Sequence, residues 1–188
     1  NFQYQLKTLD ISGLDRIESK YLEDKLEKYI KSSIFLLPLD QISRSIKENN
    51  WIKEIYLKTN YKDTLFIKVI EYKPIGIYYF NKKYFFFEKN GKIIDEILAK
   101  DLSDKSLIVF KGNSSNLKAN KLINILLNNN FQKKYKIDFL EYVNKRRWDI
   151  ILQDNIKLML SEEDPNKSIQ NFTMIQNKLS KSDINNIK

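Results

Sequence analysis

The residue types that carry most protein chemistry are thinly represented. The 188-residue chain has no histidine and no cysteine. That removes a Cys nucleophile, disulfides, Cys/His zinc sites and a Ser–His–Asp triad. Carboxylates, lysines and tyrosines remain. The densest acidic run is Glu162-Glu163-Asp164. Such a run could ligate a hard cation, but it lacks the spaced carboxylates of a calcium loop. Immediately before a helical segment it reads instead as an acidic turn, favoured near the helix's positive end. No acid and base are paired as carboxylate hydrolysis requires. The expectation is therefore a chain with no catalytic residues, no cofactor and no metal.

The side chains that suit binding are of two kinds. Lys145, Arg146 and Arg147 form a basic strand start, and the Arg forks match carboxylates on a partner. The plainer reading is a solvated strand end. Glu54, Tyr56 and Lys58 alternate with Ile55 and Leu57 and so share one strand face. That face either meets a partner or simply meets water. Trp51, Trp148 and the aromatic run 84–87 sit at strand spacing and read as core rather than as a binding platform.

The net charge of +9 suits an anionic membrane surface, an acidic partner or nucleic acid. The basic residues are scattered rather than clustered, which argues against nucleic acid. With 42% hydrophobic, 30% charged and 13% aromatic residues, the composition is that of a folded chain. No apolar run approaches the ~20 residues that span a bilayer. There is no signal peptide and the first residue is Asn1, so the sequence reads as an excised soluble fragment.

Periodicity predicts the elements that hold these side chains. Residues 7–12 read as a strand ending at Gly13. Residues 15–30 read as an amphipathic helix, with Asp15 and Glu18 as a capping box. A second helix runs to residue 47, capped by Asp40. Residues 51–59 and 64–72 alternate as a hairpin, with Leu65, Ile67 and Val69 inward. The first part is thus α+β, a three-stranded sheet covered by two long helices. After Pro74, aromatic strands are predicted at 75–80 and 84–88, with a turn at Asn90-Gly91. A strand at 106–110, a helix at 117–128 and strands at 137–143, 147–153 and 156–160 follow. A last helix at 166–179 turns Ile169, Phe172, Ile175 and Leu179 inward.

Two blocks carry a family resemblance. The first runs from Trp51-Ile52-Lys53-Glu54-Ile55-Tyr56-Leu57 to Glu71-Tyr72-Lys73-Pro74-Ile75-Gly76. The second is Arg146-Arg147-Trp148-Asp149-Ile150-Ile151-Leu152 with Asn155-Ile156-Lys157-Leu158-Met159-Leu160. Glu88-Lys89-Asn90-Gly91 and the run 108–112 add to it. Together they resemble the extracytoplasmic part of the FtsQ/DivIB family. The resemblance implies a POTRA domain at residues 1–73 and a β domain with two helices at 74–188. It implies a non-enzymatic cell-division scaffold that binds FtsB and FtsL, with other divisome proteins reached through the POTRA strand bearing Glu54, Tyr56 and Lys58. It implies a place at the division septum, on the periplasmic side of the inner membrane, below one transmembrane helix not contained in this sequence. It also implies that FtsB pairs with a strand after the last helix. On that resemblance the strand begins near Ile184 and Ile187 and is cut short, with Lys145 and Arg146 on a neighbouring strand. The alternative is a POTRA module of an outer-membrane assembly or secretion protein, which would bring tandem repeats or a barrel.

Overall fold

A computed structural model of the chain describes residues 4–98 and 107–178. The chain divides into two compact units, Asn1–Lys73 and Pro74–Lys188.

The first unit contains β1 (Thr8–Ser12), α1 (Ser19–Leu26), α2 (Leu39–Ile46), β2 (Ile52–Thr59) and β3 (Thr64–Glu71). Its sheet has the order β1-β3-β2, parallel between β1 and β3 and antiparallel between β2 and β3. The alternation of β3 explains its central place. Leu65, Ile67 and Val69 are at most 2% exposed, while Phe66, Lys68 and Ile70 face out. Leu22 and Leu26 of α1 and Ile42 and Ile46 of α2 complete that core. Each such buried aliphatic side chain is worth about 1.5–3 kcal/mol relative to exposure. Gly13 ends β1 at φ +82°, where a Cβ would lie 2.1 Å from the Val69 carbonyl oxygen. No side chain fits there.

Both helices are shorter than predicted, eight residues each. Residues 15–17 do not enter α1, because their N–H groups donate to the Glu71 carboxylate. The expected capping box is thus replaced by a long-range one, and Glu18 stands at the N-cap without a side-chain bond. Past Leu26 the chain tightens into a 3₁₀ turn, Glu27–Tyr29. Asp40 does not cap α2 either. Pro38 holds the N-cap, and Asp40 lies within the first turn, where its charge still suits the dipole.

The second unit contains β4 (Gly76–Phe80), β5 (Lys83–Phe87), β6 (Ile93–Ile97), β7 (Val109–Lys111), α3 (Ser115–Asn128), α4 (Phe131–Lys134), β8 (Ile137–Val143), β9 (Arg147–Leu152), β10 (Lys157–Met159) and α5 (Pro165–Lys178). Among the described residues its seven strands follow the order β10-β9-β8-β7-β4-β5-β6. The pairs β4–β7 and β7–β8 are parallel, and the outer strands are antiparallel hairpins. The core joins Phe110, Leu140, Trp148 and Ile150 of the sheet to Leu122 and Leu126 of α3, Phe131 and Ile169. Phe110 meets Phe87 and Trp148 edge to face, at 5.4 and 5.8 Å between centroids.

Two elements had no clear signal. The sequence of β6, Ile-Ile-Asp-Glu-Ile, breaks alternation, and α4 is a single turn entered through Asn130 at φ 50°. On α5, Ile169 is buried and Phe172 half-buried, but Ile175 is 55% exposed, against the expectation. Six residues is about 240° around a helix, which carries Ile175 off the buried stripe. Leu117 is exposed for the same reason, five residues before Leu122. Leu179 lies outside the described residues.

Candidate partner-binding surfaces

The basic strand start sits on a hairpin. Asn144 and Lys145 both take positive φ, 52° and 55°, and the Arg146 N–H returns to the Val143 carbonyl at 3.0 Å. That is a two-residue turn matched to strand twist. The Tyr142 hydroxyl donates to the Lys145 carbonyl at 2.7 Å and fixes the turn from one side. Lys145 and Arg146 are exposed, and Arg147 is half-exposed.

The three cations are not equivalent. Arg146 Nε lies 3.1 Å from Glu162 Oε2, a pair of which both members reach solvent. Such a pair is worth under about 1 kcal/mol and opens easily. Arg147 instead bonds Asp149 Oδ1 at 3.0 Å. The Asp149 side chain is fully buried, and its Oδ2 lies 2.8 Å from Lys157 Nζ. That contact lacks hydrogen-bond alignment, so it acts as an ion pair only. Asp149 pairs with Met159 in the ladder, so its carboxylate ties β10 to β9 through Lys157. Sequence reading placed Asp149 in the second block without a role. Its alternation with Trp148 and Ile150 on a buried strand is the signal that was available.

Arg146 also borders a cleft of about 430 Å³. Lys89, Lys118, Lys121 and Arg146 line it with Leu117 and Trp148, and Glu162 contributes the carboxylate. These lysines come from the β5–β6 turn and from α3, so the sequence alone could not group them. Cations outnumber carboxylates there, which favours an acidic ligand.

On the first unit, Glu54, Tyr56 and Lys58 are all exposed on β2, as alternation predicts. The Tyr56 hydroxyl donates to Glu54 Oε2 at 2.5 Å, which holds its pKa above the ordinary phenol value. β2 is an edge strand of its sheet. β10 is likewise terminal, and among the described residues no strand covers its outer side. Ile184 and Ile187 lie outside the described residues. Among the described residues no group of His, Asp or Glu side chains is arranged to hold a metal, and no helix is long and apolar enough to cross a membrane.

Comparison with known proteins fits this geometry. Residues 4–72 match the family model of the FtsQ-type POTRA domain, and residues 77–187 match that of the FtsQ/DivIB C-terminal region. The cell division protein FtsQ of Rickettsia typhi is 32% identical over 167 residues, covering 86% of this chain and 59% of its own. That of Zymomonas mobilis is 23% identical, covering 85% and 49%. The chain thus spans about half to three-fifths of the length of these relatives. A solved structure of the major extracytoplasmic domain of the division protein DivIB from Geobacillus stearothermophilus is 11% identical, with a TM-score of 0.37 over 58% of this chain and 98% of that one. With both units matched in order, the chain belongs to the FtsQ/DivIB family of cell-division proteins.

Proposed function

We propose that this chain is a non-enzymatic scaffold that binds FtsB- and FtsL-type division proteins at the membrane and helps assemble the septal peptidoglycan machinery. The observation that carries the reading is the sheet edge at β10. Among the described residues no strand pairs with its outer side, so its backbone groups suit an extended partner segment. Ile184 and Ile187, following α5, fall within reach of this reading as further pairing residues. Lys145 and Arg146, on the turn before β9, and the cationic cleft beside them select an acidic segment. Arg147 lines the same cleft and also holds Asp149. The edge strand β2, with Glu54, Tyr56 and Lys58, is the second surface and serves other divisome proteins. The alternative of a secretion-type POTRA module loses its support, since the second unit matches a division-protein model instead.

The test is a titration with an acidic FtsB-type peptide. Arg146→Glu and removal of residues 179–188 should each weaken binding, and Tyr56→Ala should not. If Tyr56→Ala weakens binding while the other two leave it unchanged, the site lies on β2.

A further inference from the structure

One pole of the first unit carries an exposed apolar cluster that neither core nor partner reading uses. Phe35 is 59% and Leu36 81% exposed, with Tyr4 at 40% and Tyr61 at 66%. The Phe35 ring lies 5.5 Å from Tyr4 and 6.2 Å from Tyr61, the latter nearly parallel. This arrangement is held from below. Phe35 and Leu36 ride on the 3₁₀ turn Ile34–Leu36, and their neighbours Ile34 and Leu37 are buried. Gln5 bridges to Ser33, the Leu6 N–H donates to the Ser32 carbonyl, and the Lys31 N–H donates to the Leu6 carbonyl across the same seam.

Tyr61 sits at the tip of the β2–β3 hairpin with φ 58°, a conformation that suits Gly or Asn. Asn60 Oδ1 accepts the N–H groups of Lys62, Asp63 and Thr64 and stabilises the tip around it. A large ring is therefore displayed where local backbone preference opposes it.

The charges at this pole are one-sided. Lys7, Lys31 and Lys62 are exposed around the cluster. The carboxylate of these segments, Asp63, is turned onto Asn60 and Thr64. An apolar tip, tyrosines at its flanks and a rim of lysines is the layout that suits a headgroup boundary. Rings enter the interface, hydroxyls stay wet and ammonium groups meet anionic lipid.

We propose that the Tyr4, Phe35, Leu36 and Tyr61 cluster, with Lys7, Lys31 and Lys62, docks this unit on an anionic lipid surface. This is independent of the partner reading above, and its test contains no division protein.

The experiment is co-sedimentation of the chain with phosphatidylglycerol/phosphatidylethanolamine vesicles and with phosphatidylcholine vesicles. The double variant Phe35→Ser/Leu36→Ser leaves the net charge unchanged, so it separates insertion from general attraction of a basic chain. Both side chains are exposed, so folding should survive, with circular dichroism as the check and Leu36→Ser alone as the milder variant. Partitioning onto the anionic vesicles should fall at least about tenfold in the double variant. Lys31→Glu/Lys62→Glu should also lower it. Failure of the unaltered chain to sediment with anionic vesicles would overturn the proposal. So would binding that survives Phe35→Ser/Leu36→Ser, or equal binding to phosphatidylcholine. Self-association abolished by the double variant, without vesicle binding, would assign the patch to a second copy and overturn it too.

Discussion

Replacing Glu71 with Ala should unfold the first unit more readily than any other single change of a charged residue there. The carboxylate is only 9% exposed and accepts three backbone N–H groups, from Asp15 at 2.9 Å, Arg16 at 2.9 Å and Ile17 at 3.1 Å. These are charge-assisted bonds that close the β1–α1 connection onto the end of β3. Deletion leaves the buried Ile17 donor unpaired and the other two dependent on water. An orphaned buried donor costs about 1–3 kcal/mol, and the two part-buried ones less, so the loss should be about 2–4 kcal/mol. The pH dependence has a definite sign. Burial alone would raise the Glu71 pKa, but the three N–H donors and the Arg16 charge outweigh it and hold the group below the ordinary glutamate value. A depressed folded-state pKa gives stability that is present above the unfolded value of about 4.3 and is lost as pH falls through the folded one. The assay is urea unfolding in a Trp148→Phe background, where Trp51 alone reports on the first unit. Trp51 is well placed, since the Arg16 guanidinium lies 4.5 Å from its ring centroid. Glu71→Gln should be destabilised at pH 7 and show a flatter acid limb than the parent. A loss below about 0.5 kcal/mol for Glu71→Ala, or parallel acid limbs, would refute the reasoning.

Four further outcomes are expected. Ile67→Ala, at a site 1% exposed in the centre of β3, should cost about 2–5 kcal/mol in the same unfolding assay. Asp149→Ala strands Arg147 and Lys157, yet both reach solvent, so calorimetry should show a loss of about 1–3 kcal/mol rather than the ~3–5 of a fully buried pair. Gly112→Ala should destabilise the second unit by more than about 1 kcal/mol, because φ is +96° and a Cβ would lie 2.3 Å from the Tyr142 carbonyl oxygen. Arg146→Glu should weaken binding of an acidic FtsB-type peptide about three- to tenfold at low salt by titration calorimetry, and much less at 0.5 M salt where exposed charges are screened.

The sequence was most legible where one period ran unbroken. β3 alternates through its length, and its inward residues followed directly from that. The Asn90-Gly91 turn was legible for a local reason, since few residues but Gly tolerate the φ of +86° found at Gly91. Helix ends were not. Asp15 and Glu18 have capping-box spacing, but a carboxylate 55 residues away takes the N–H groups, and no local rule sees it. Nor was the cationic cleft legible, because Lys89, Lys118 and Arg146 come from three separated elements. Arg146 and Arg147 look alike in sequence, yet Arg146 closes the turn and pairs with exposed Glu162, while Arg147 opens β9 and bonds the buried Asp149. Both border the cleft, but only Arg147 is tied to a buried carboxylate.

That division bears on how an edge strand can be both open and selective. β10 is three residues long, a length that by itself discourages indiscriminate pairing. It would also be too short to hold its register by backbone bonds alone. Asp149 supplies the anchor, through Lys157 on β10 and Arg147 on β9. Breaking this tie would let β10 slip and would turn Lys157 and Met159 out of place together. On the proposed reading, a partner strand then meets a short edge in fixed register, with Arg146 exposed at the nearby hairpin. A neutral strand could satisfy the backbone groups but would gain nothing from the cations beside them. An acidic one gains both, so discrimination comes from side chains while most of the contact comes from main chain. Asp149→Ala should therefore lower peptide affinity even though Asp149 is too buried to touch a partner. Restoring stability with an added osmolyte should not restore that affinity. If peptide binding by Asp149→Ala equals that of the parent under conditions where the variant is fully folded, the register argument fails.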